Sequence, residues 1–156
     1  MLKWIHVATD PGVKGATVVQ WLDGQHTIYP WKGEASFADT VEEIKGLSQP
    51  DYDQGVRLHW AMEVPPKTTG KGRPESTGFT LGHNFGWQCG FITGSGLPCM
   101  VLSPQKWQSM YTGLKGTPYR EKKKRCRELA KQLYPTEKVT LQNADAFLIL
   151  NYSIKS

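Results

Sequence analysis

The chain has 156 residues, 38% of them hydrophobic and 21% charged, with a net charge of +5. That is the size and composition of one folded domain, 1–156, with no mark of disorder. No apolar run approaches the roughly 18–20 residues that span a bilayer, and the chain runs straight into a strand pattern, so neither a membrane helix nor a signal peptide is expected.

Residues 2–9 form an apolar run that ends at Asp10, followed by Pro11, Gly12 and Gly15: a strand and a turn. Residues 16–22 read as a second strand, Asp23-Gly24 as a two-residue hairpin turn, and 25–31 as the returning third strand. Ser36 with Asp39 resembles a capping box, and Phe37, Val41, Ile44 and Leu47 then share one helical face. Leu58, Trp60 and Met62 alternate with His59, Ala61 and Glu63 in a fourth strand, which Pro65-Pro66 stops.

A polar loop with Lys67, Lys71 and Arg73 leads to a helix starting near Ser76, in which Gly78, Gly82, Gly86, Gly90 and Gly94 recur. Each glycine inside a helix costs about 0.5–1 kcal/mol relative to alanine. A ladder at every fourth position therefore points to close backbone approach, either on the sheet or against a second subunit. Residues 99–102 form a short buried strand, and Ser103-Pro104 supplies the cap and first-turn proline of a helix through Lys106, Trp107 and Met110. After a break at 113–118 comes a basic helix. Its apolar positions are Tyr119, Cys126, Leu129, Ala130 and Leu133, while Arg120, Lys124, Arg127 and Lys131 share another face. Residues 143–154 close the chain as an apolar helix with Asp145 in its first turn. The order predicts an α/β fold: a mixed five-stranded sheet, βββαβαβ then helices, with helices on both faces.

Charge is unevenly placed. Residues 106–131 hold nine basic side chains against Glu121 and Glu128, a balance of +7, while the remaining ten basic and twelve acidic residues come to −2. Such a block is either a solvated helix surface or a face that meets a polyanion. Cys89, Cys99 and Cys126 form no CxxC pair, which argues against a disulfide framework or cysteine zinc site and for a reducing compartment.

Three carboxylates stand in apolar surroundings. Asp10 ends the first strand, Glu63 ends the fourth, and Asp145 lies between Ala144 and Ala146. A buried carboxylate needs a donor, a cation or water, and the three converge if the first and fourth strands are neighbours. Oxygen ligands of this kind hold magnesium, and two ions about 4 Å apart can activate water and stabilise the leaving oxygen in phosphodiester cleavage. Plainer roles are open too: Asp10 as a turn residue before Pro11-Gly12, and Asp145 as a favourable charge at a helix N-terminus.

In this order the residues resemble the RuvC-like Holliday junction resolvases of the RNase H-like superfamily, especially the phage-type and plastid-type branch. The matching segments begin with Asp10-Pro11-Gly12 plus Gly15-Ala16, then Glu63-Val64-Pro65-Pro66, then Ser76-Thr77 with the helix from Leu81-Gly82 to Gly86. They continue with Ser103-Pro104-Gln105-Lys106-Trp107, Lys122-Lys123-Lys124 leading to Leu133-Tyr134-Pro135, and Ala144-Asp145-Ala146-Phe147-Leu148-Ile149, so nearly the whole chain is covered.

The resemblance implies a homodimer that grips a four-way DNA junction and nicks two opposed strands symmetrically, leaving 5′-phosphates. Mg2+ or Mn2+, two ions per site, is the implied cofactor. Catalysis and metal binding would fall to Asp10, Glu63 and Asp145. The family's fourth ligand, an acid or a histidine, corresponds to Gln142 or Leu141, which leaves the uncharged Gln142 carbonyl as candidate donor. Lys106, Lys115, Lys122, Lys123, Lys124 and Arg127 lie where such enzymes meet DNA, with Lys67, Lys71, Arg73 and Arg120 as further expected contacts. The dimer contact falls on the helix carrying Gly82, Gly86 and Gly90. Bacterial members carry an aromatic wedge after the second acid; Pro66 and Lys67 stand in its place here, so the wedge is either missing or supplied by another residue such as Phe79. The expected location is the cytoplasm of a bacterium or phage-infected host, or an organelle matrix after loss of a transit peptide. Two alternatives share the fold: a nuclease for branches, flaps or forks, and, because of Gln142, a junction-binding module with weakened catalysis. An actin-like kinase, prompted by the Asp10-Gly12-Gly15 turn, needs a longer, two-lobed chain.

Overall fold

The first strand, β1 (Lys3–Asp10), buries Ile5, Val7 and Ala8 on its two sides, so it needs cover on both faces. In the computed structural model, which describes residues 3–52, 54–66 and 74–156, β1 is the central strand of a mixed sheet. The sheet has five strands in the order β3-β2-β1-β4-β5. β2 (Ala16–Gln20) and β3 (His26–Pro30) form an antiparallel meander on one side, and β4 (Val56–Glu63) and β5 (Cys99–Leu102) run parallel to β1 on the other. The mixed five-stranded sheet is the one expected.

Successive strand residues point to opposite faces. Ile5, Val7, Val19, Leu58, Trp60 and Met62 pack with α1 (Glu34–Tyr52) and α2 (Glu75–Gly94). Ala8, Val18, Ala61 and Leu102 pack instead with α4 (Tyr119–Leu133), α5 (Ala144–Lys155) and Trp107 of α3 (Pro104–Gln108). All of α5 from Ala144 to Asn151 is buried, and each large apolar side chain so placed contributes about 1.5–3 kcal/mol. Among the described residues no helix is long and apolar enough to cross a membrane.

Some local expectations are corrected. The β2–β3 loop is longer than a two-residue turn: Trp21 N donates to Gln25 O at 2.9 Å, and Gly24 sits at φ 81°. A three-residue loop closed by a left-handed glycine suits the strand twist equally well. α1 begins at Glu34 rather than with Ser36 as its cap, because Gly33, at φ 105°, turns the chain and its carbonyl already accepts from Phe37 N. Leu47, at 55% exposure, does not join the buried face of Phe37, Val41 and Ile44. α3 stops at Gln108, short of Met110: beyond it the bonds tighten to three-residue turns, with Met110 N donating to Trp107 O at 3.2 Å and Tyr111 N to Gln108 O at 3.1 Å.

Four residues before Asp10 on β1, His6 is the register partner of His59 on β4, and their rings are 5.7 Å apart. Burial lowers the pKa of both, and the His59 charge lowers His6 further. The neutral forms are thus favoured by folding, so stability is lost as pH falls from about 6.5, the unfolded value, through the folded values. Glu63, raised to about 8, acts with the opposite sign over the same interval. The histidine contribution is therefore read as a difference: His59→Gln should gain urea resistance relative to wild type between pH 7.5 and pH 5. A pH-independent difference would rule the histidine pair out as its source.

Candidate active site

Ala8 and Ala61 are register partners, and both face α5. Two residues further along each strand the same parity puts Asp10 and Glu63 on that face, at the C-terminal ends of neighbouring parallel strands. Asp145, in the first turn of α5, joins Asp10 through Lys123, whose ammonium reaches both carboxylates, and its charge acts on Glu63 as well. Gly12 N donates to Asp10 Oδ1 at 3.0 Å, and Gly15 N to Gly12 O at 2.8 Å. A Cβ at Gly15 would stand 1.9 Å from the Asp10 carbonyl oxygen, so only glycine lets the loop fold back this far.

Burial and the neighbouring Asp145 charge raise the pKa of Asp10, against the opposing pull of Lys123 and the Gly12 N–H. Burial, then Asp10 and Asp145, push Glu63 up to about 8, although Trp107 and Lys123 pull it down. One carboxyl of the cluster therefore tends to keep its proton near neutral pH. Burial alone would lower Lys123, but the Asp145 and Asp10 charges outweigh it and raise its pKa. The Lys123 ammonium donates to Asp145 Oδ2 and lies 4.0 Å from Asp10 Oδ2. Trp107 Nε1 donates to Glu63 Oε2. Asp145 Oδ1 is buried without a hydrogen-bond partner, and burial, with Asp145 adjoining, pushes the Cys126 thiol up to about 12.

The donor set is all oxygen and carries more negative charge than one ammonium balances. That chemistry, with the unpartnered Asp145 Oδ1, fits a hard divalent cation such as Mg2+ or Mn2+. No group of three His, Cys, Asp or Glu side chains among the described residues stands in a ligating arrangement. Lys123 lies between Asp10 and Asp145, and Trp107 holds Glu63. Gln142 Nε2 donates to Gly15 O at 3.2 Å, which ties it to the loop after Asp10.

No family model matches the chain, and no curated protein matches it. Solved structures do. The chain superposes on the Thermus thermophilus RuvC structure with a TM-score of 0.60 at 12% identity, covering 95% of this chain and 92% of that one. Against T. thermophilus RuvC in complex with Holliday junction substrate the TM-score is 0.58 at 13% identity, covering 96% and 91%. The fold is RuvC-like.

The other expected site residues fall into distinct groups. Lys106, Lys115, Arg120, Lys124 and Arg127 are exposed, and Lys122 is half-buried. Lys123 differs from these, because its ammonium is engaged by the acids. Lys67, Lys71 and Arg73 lie outside the described residues. Gly82, Gly86 and Gly90 are exposed, with open space where a Cβ would stand, so the ladder does not pack on the sheet. Phe79 is 76% exposed, with its ring stacked on His83 at 6.1 Å between centroids.

Sequence reasoning missed the inward role of Lys123 and the part played by Trp107. The signal for Lys123 was present: it stands three and seven residues before Cys126 and Ala130, the buried stripe of α4. Tyr119, at 60% exposure, and Leu133 lie outside that stripe, which is narrower than expected. For Trp107 the signal was weaker, since a buried indole N–H usually finds an acceptor without revealing which one.

Proposed function

We propose that this chain is a divalent-metal-dependent, structure-specific DNA endonuclease that resolves four-way junctions by paired symmetric nicks, acting as a homodimer. The observation that carries the reading is the convergence of Asp10, Glu63 and Asp145 at the strand ends of a RuvC-like fold. The junction-bound neighbour supports branched DNA as the partner. Placement in the phage-type and plastid-type branch rests on the ordered motifs alone.

Asp10, Glu63 and Asp145 would hold the metal, with the Gln142 carbonyl as a fourth, uncharged donor. Bound there, Mg2+ or Mn2+ supplies charge at the scissile phosphate and acidifies water, and a pair of ions serves both the attacking and the leaving oxygen. The chain's own part is to bind and orient. Lys106, Lys115, Arg120, Lys124 and Arg127 present ammonium and guanidinium groups to phosphates, fixing the DNA's register without reading its sequence. The open glycine stripe of α2 is the face assigned to the second subunit.

With Mg2+, the protein should nick two opposed strands of a synthetic four-way junction at symmetric positions, and leave linear duplex, flap and fork largely intact. Equal cutting of the flap or fork would move the substrate to that class, and unpaired single nicks would remove the dimer. Gln142 in the place of an acid favours one second reading, a junction-binding module with weakened catalysis. Metal-dependent turnover of the junction excludes it.

A further inference from the structure

We propose that Trp107 is a positioning residue for Glu63, whose indole N–H fixes the carboxylate relative to the helix that carries Asp145. The inference rests on the metal-site reading above.

The local chain brings the indole to this place by short, ordered steps. Glu63 pairs in register with Leu102 of β5, and Val64 N donates to Leu102 O at 2.8 Å. One residue beyond Leu102, Ser103 caps α3, its hydroxyl accepting from Lys106 N at 3.3 Å, while Pro104 occupies the first turn. The direction of α3 is thereby tied to the strand pair that ends in Glu63. Trp107 follows, 1% exposed, and its Nε1 donates to Glu63 Oε2.

The other side of the ring is tied to α5. Trp107 meets Tyr111 edge to face, with centroids 6.2 Å apart. The Tyr111 hydroxyl donates to Leu148 O at 2.7 Å and accepts from Asn151 Nδ2 at 2.9 Å. Leu148 lies three residues after Asp145 on the same buried helix. A continuous path, Glu63 to Trp107 to Tyr111 to α5, therefore links the carboxylate of one strand to the helix that supplies another. A buried indole N–H needs some acceptor; here that acceptor is the Glu63 carboxylate, and the ring also meets the anchored Tyr111. Groups that orient a metal ligand in this way typically matter 10–100-fold, roughly, to metal affinity or activity.

The test is Mn2+ binding to the metal-free protein without DNA, followed by electron paramagnetic resonance. Trp107→Phe keeps an aromatic ring and removes the N–H, and should weaken Mn2+ about tenfold. In a Glu63→Gln background, where the carboxylate is absent, the same substitution should add little. An unchanged affinity for Trp107→Phe, or an equal loss in both backgrounds, overturns the positioning role. If Asp10→Asn and Glu63→Gln bind Mn2+ like wild type, it is the metal-site reading that fails, and this inference falls with it. A second measurement leaves Trp107 in place. One of the six tryptophan indole N–H resonances of the otherwise native chain should move on Glu63→Gln and on adding Mg2+. No moving indole resonance overturns the proposal.

Discussion

Asp10→Asn is expected to abolish Mg2+-dependent junction cleavage while leaving junction affinity close to wild type. The substitution keeps an oxygen for the Gly12 N–H, so the tight turn to Gly15 has no reason to open. What it removes is one of the three carboxyl groups that meet where β1, β4 and the first turn of α5 come together. Metal charge at the reacting phosphate is worth several kcal/mol of transition-state stabilisation, and each 1.36 kcal/mol is tenfold in rate, so a loss of about a thousandfold or more follows. On the proposed function, binding would rest on a different set of groups, the exposed cations of α3, α4 and the segment between them. Phosphate contacts of that kind give affinity that falls steeply with salt and does not depend on the metal. The measurements are single-turnover cleavage and a junction-binding titration in EDTA across salt concentrations. Cleavage by Asp10→Asn at the wild-type rate would show that the reacting phosphate sits elsewhere.

The sheet was legible in the sequence because β1 reads as an apolar run closed by Pro11-Gly12 and β4 alternates with a period of two. Ala8 with Asp10 and Ala61 with Glu63 share a parity, so two strand-ending acids fall on one face once β1 and β4 pair. Asp145 was legible for a different reason: an acid inside an apolar helix start asks for a partner. The partners themselves were harder to see. Lys123 stands in a run of three lysines, and composition alone cannot separate it from Lys122 and Lys124; only the stripe with Cys126 and Ala130 does. The Trp107 bond crosses 44 positions to Glu63, and no local pattern encodes so distant an acceptor. The glycine ladder shows the converse case. Its period was plain, but whether Gly82, Gly86 and Gly90 faced the sheet or solvent depended on which side of α2 buried Gln88 and Ile92.

The second large effect is expected at Lys123. Lys123→Met keeps the stem of the side chain and deletes the ammonium that Asp10 and Asp145 share. Removing one partner of a fully buried ion pair costs about 3–5 kcal/mol. Lys123 keeps 27% of its side chain in solvent, so a smaller loss applies, about 2–3 kcal/mol after screening. For a chain of this size each kcal/mol moves the melting temperature by about 2–4 °C, so the variant in EDTA should melt roughly 4–12 °C below wild type. A divalent ion at the acids supplies the missing counter-charge, so adding Mn2+ should stabilise Lys123→Met more than wild type and narrow the gap. Lys124→Met provides the contrast. Its side chain is exposed on the adjacent face of α4, so it should leave melting in EDTA nearly unchanged and weaken only DNA binding. The two lysines are neighbours in sequence, and a single property separates them: whether the acids depend on that charge when no metal is there. If Lys123→Met melts like wild type in EDTA, Lys123 is one more phosphate contact, and the acids hold their charge without it.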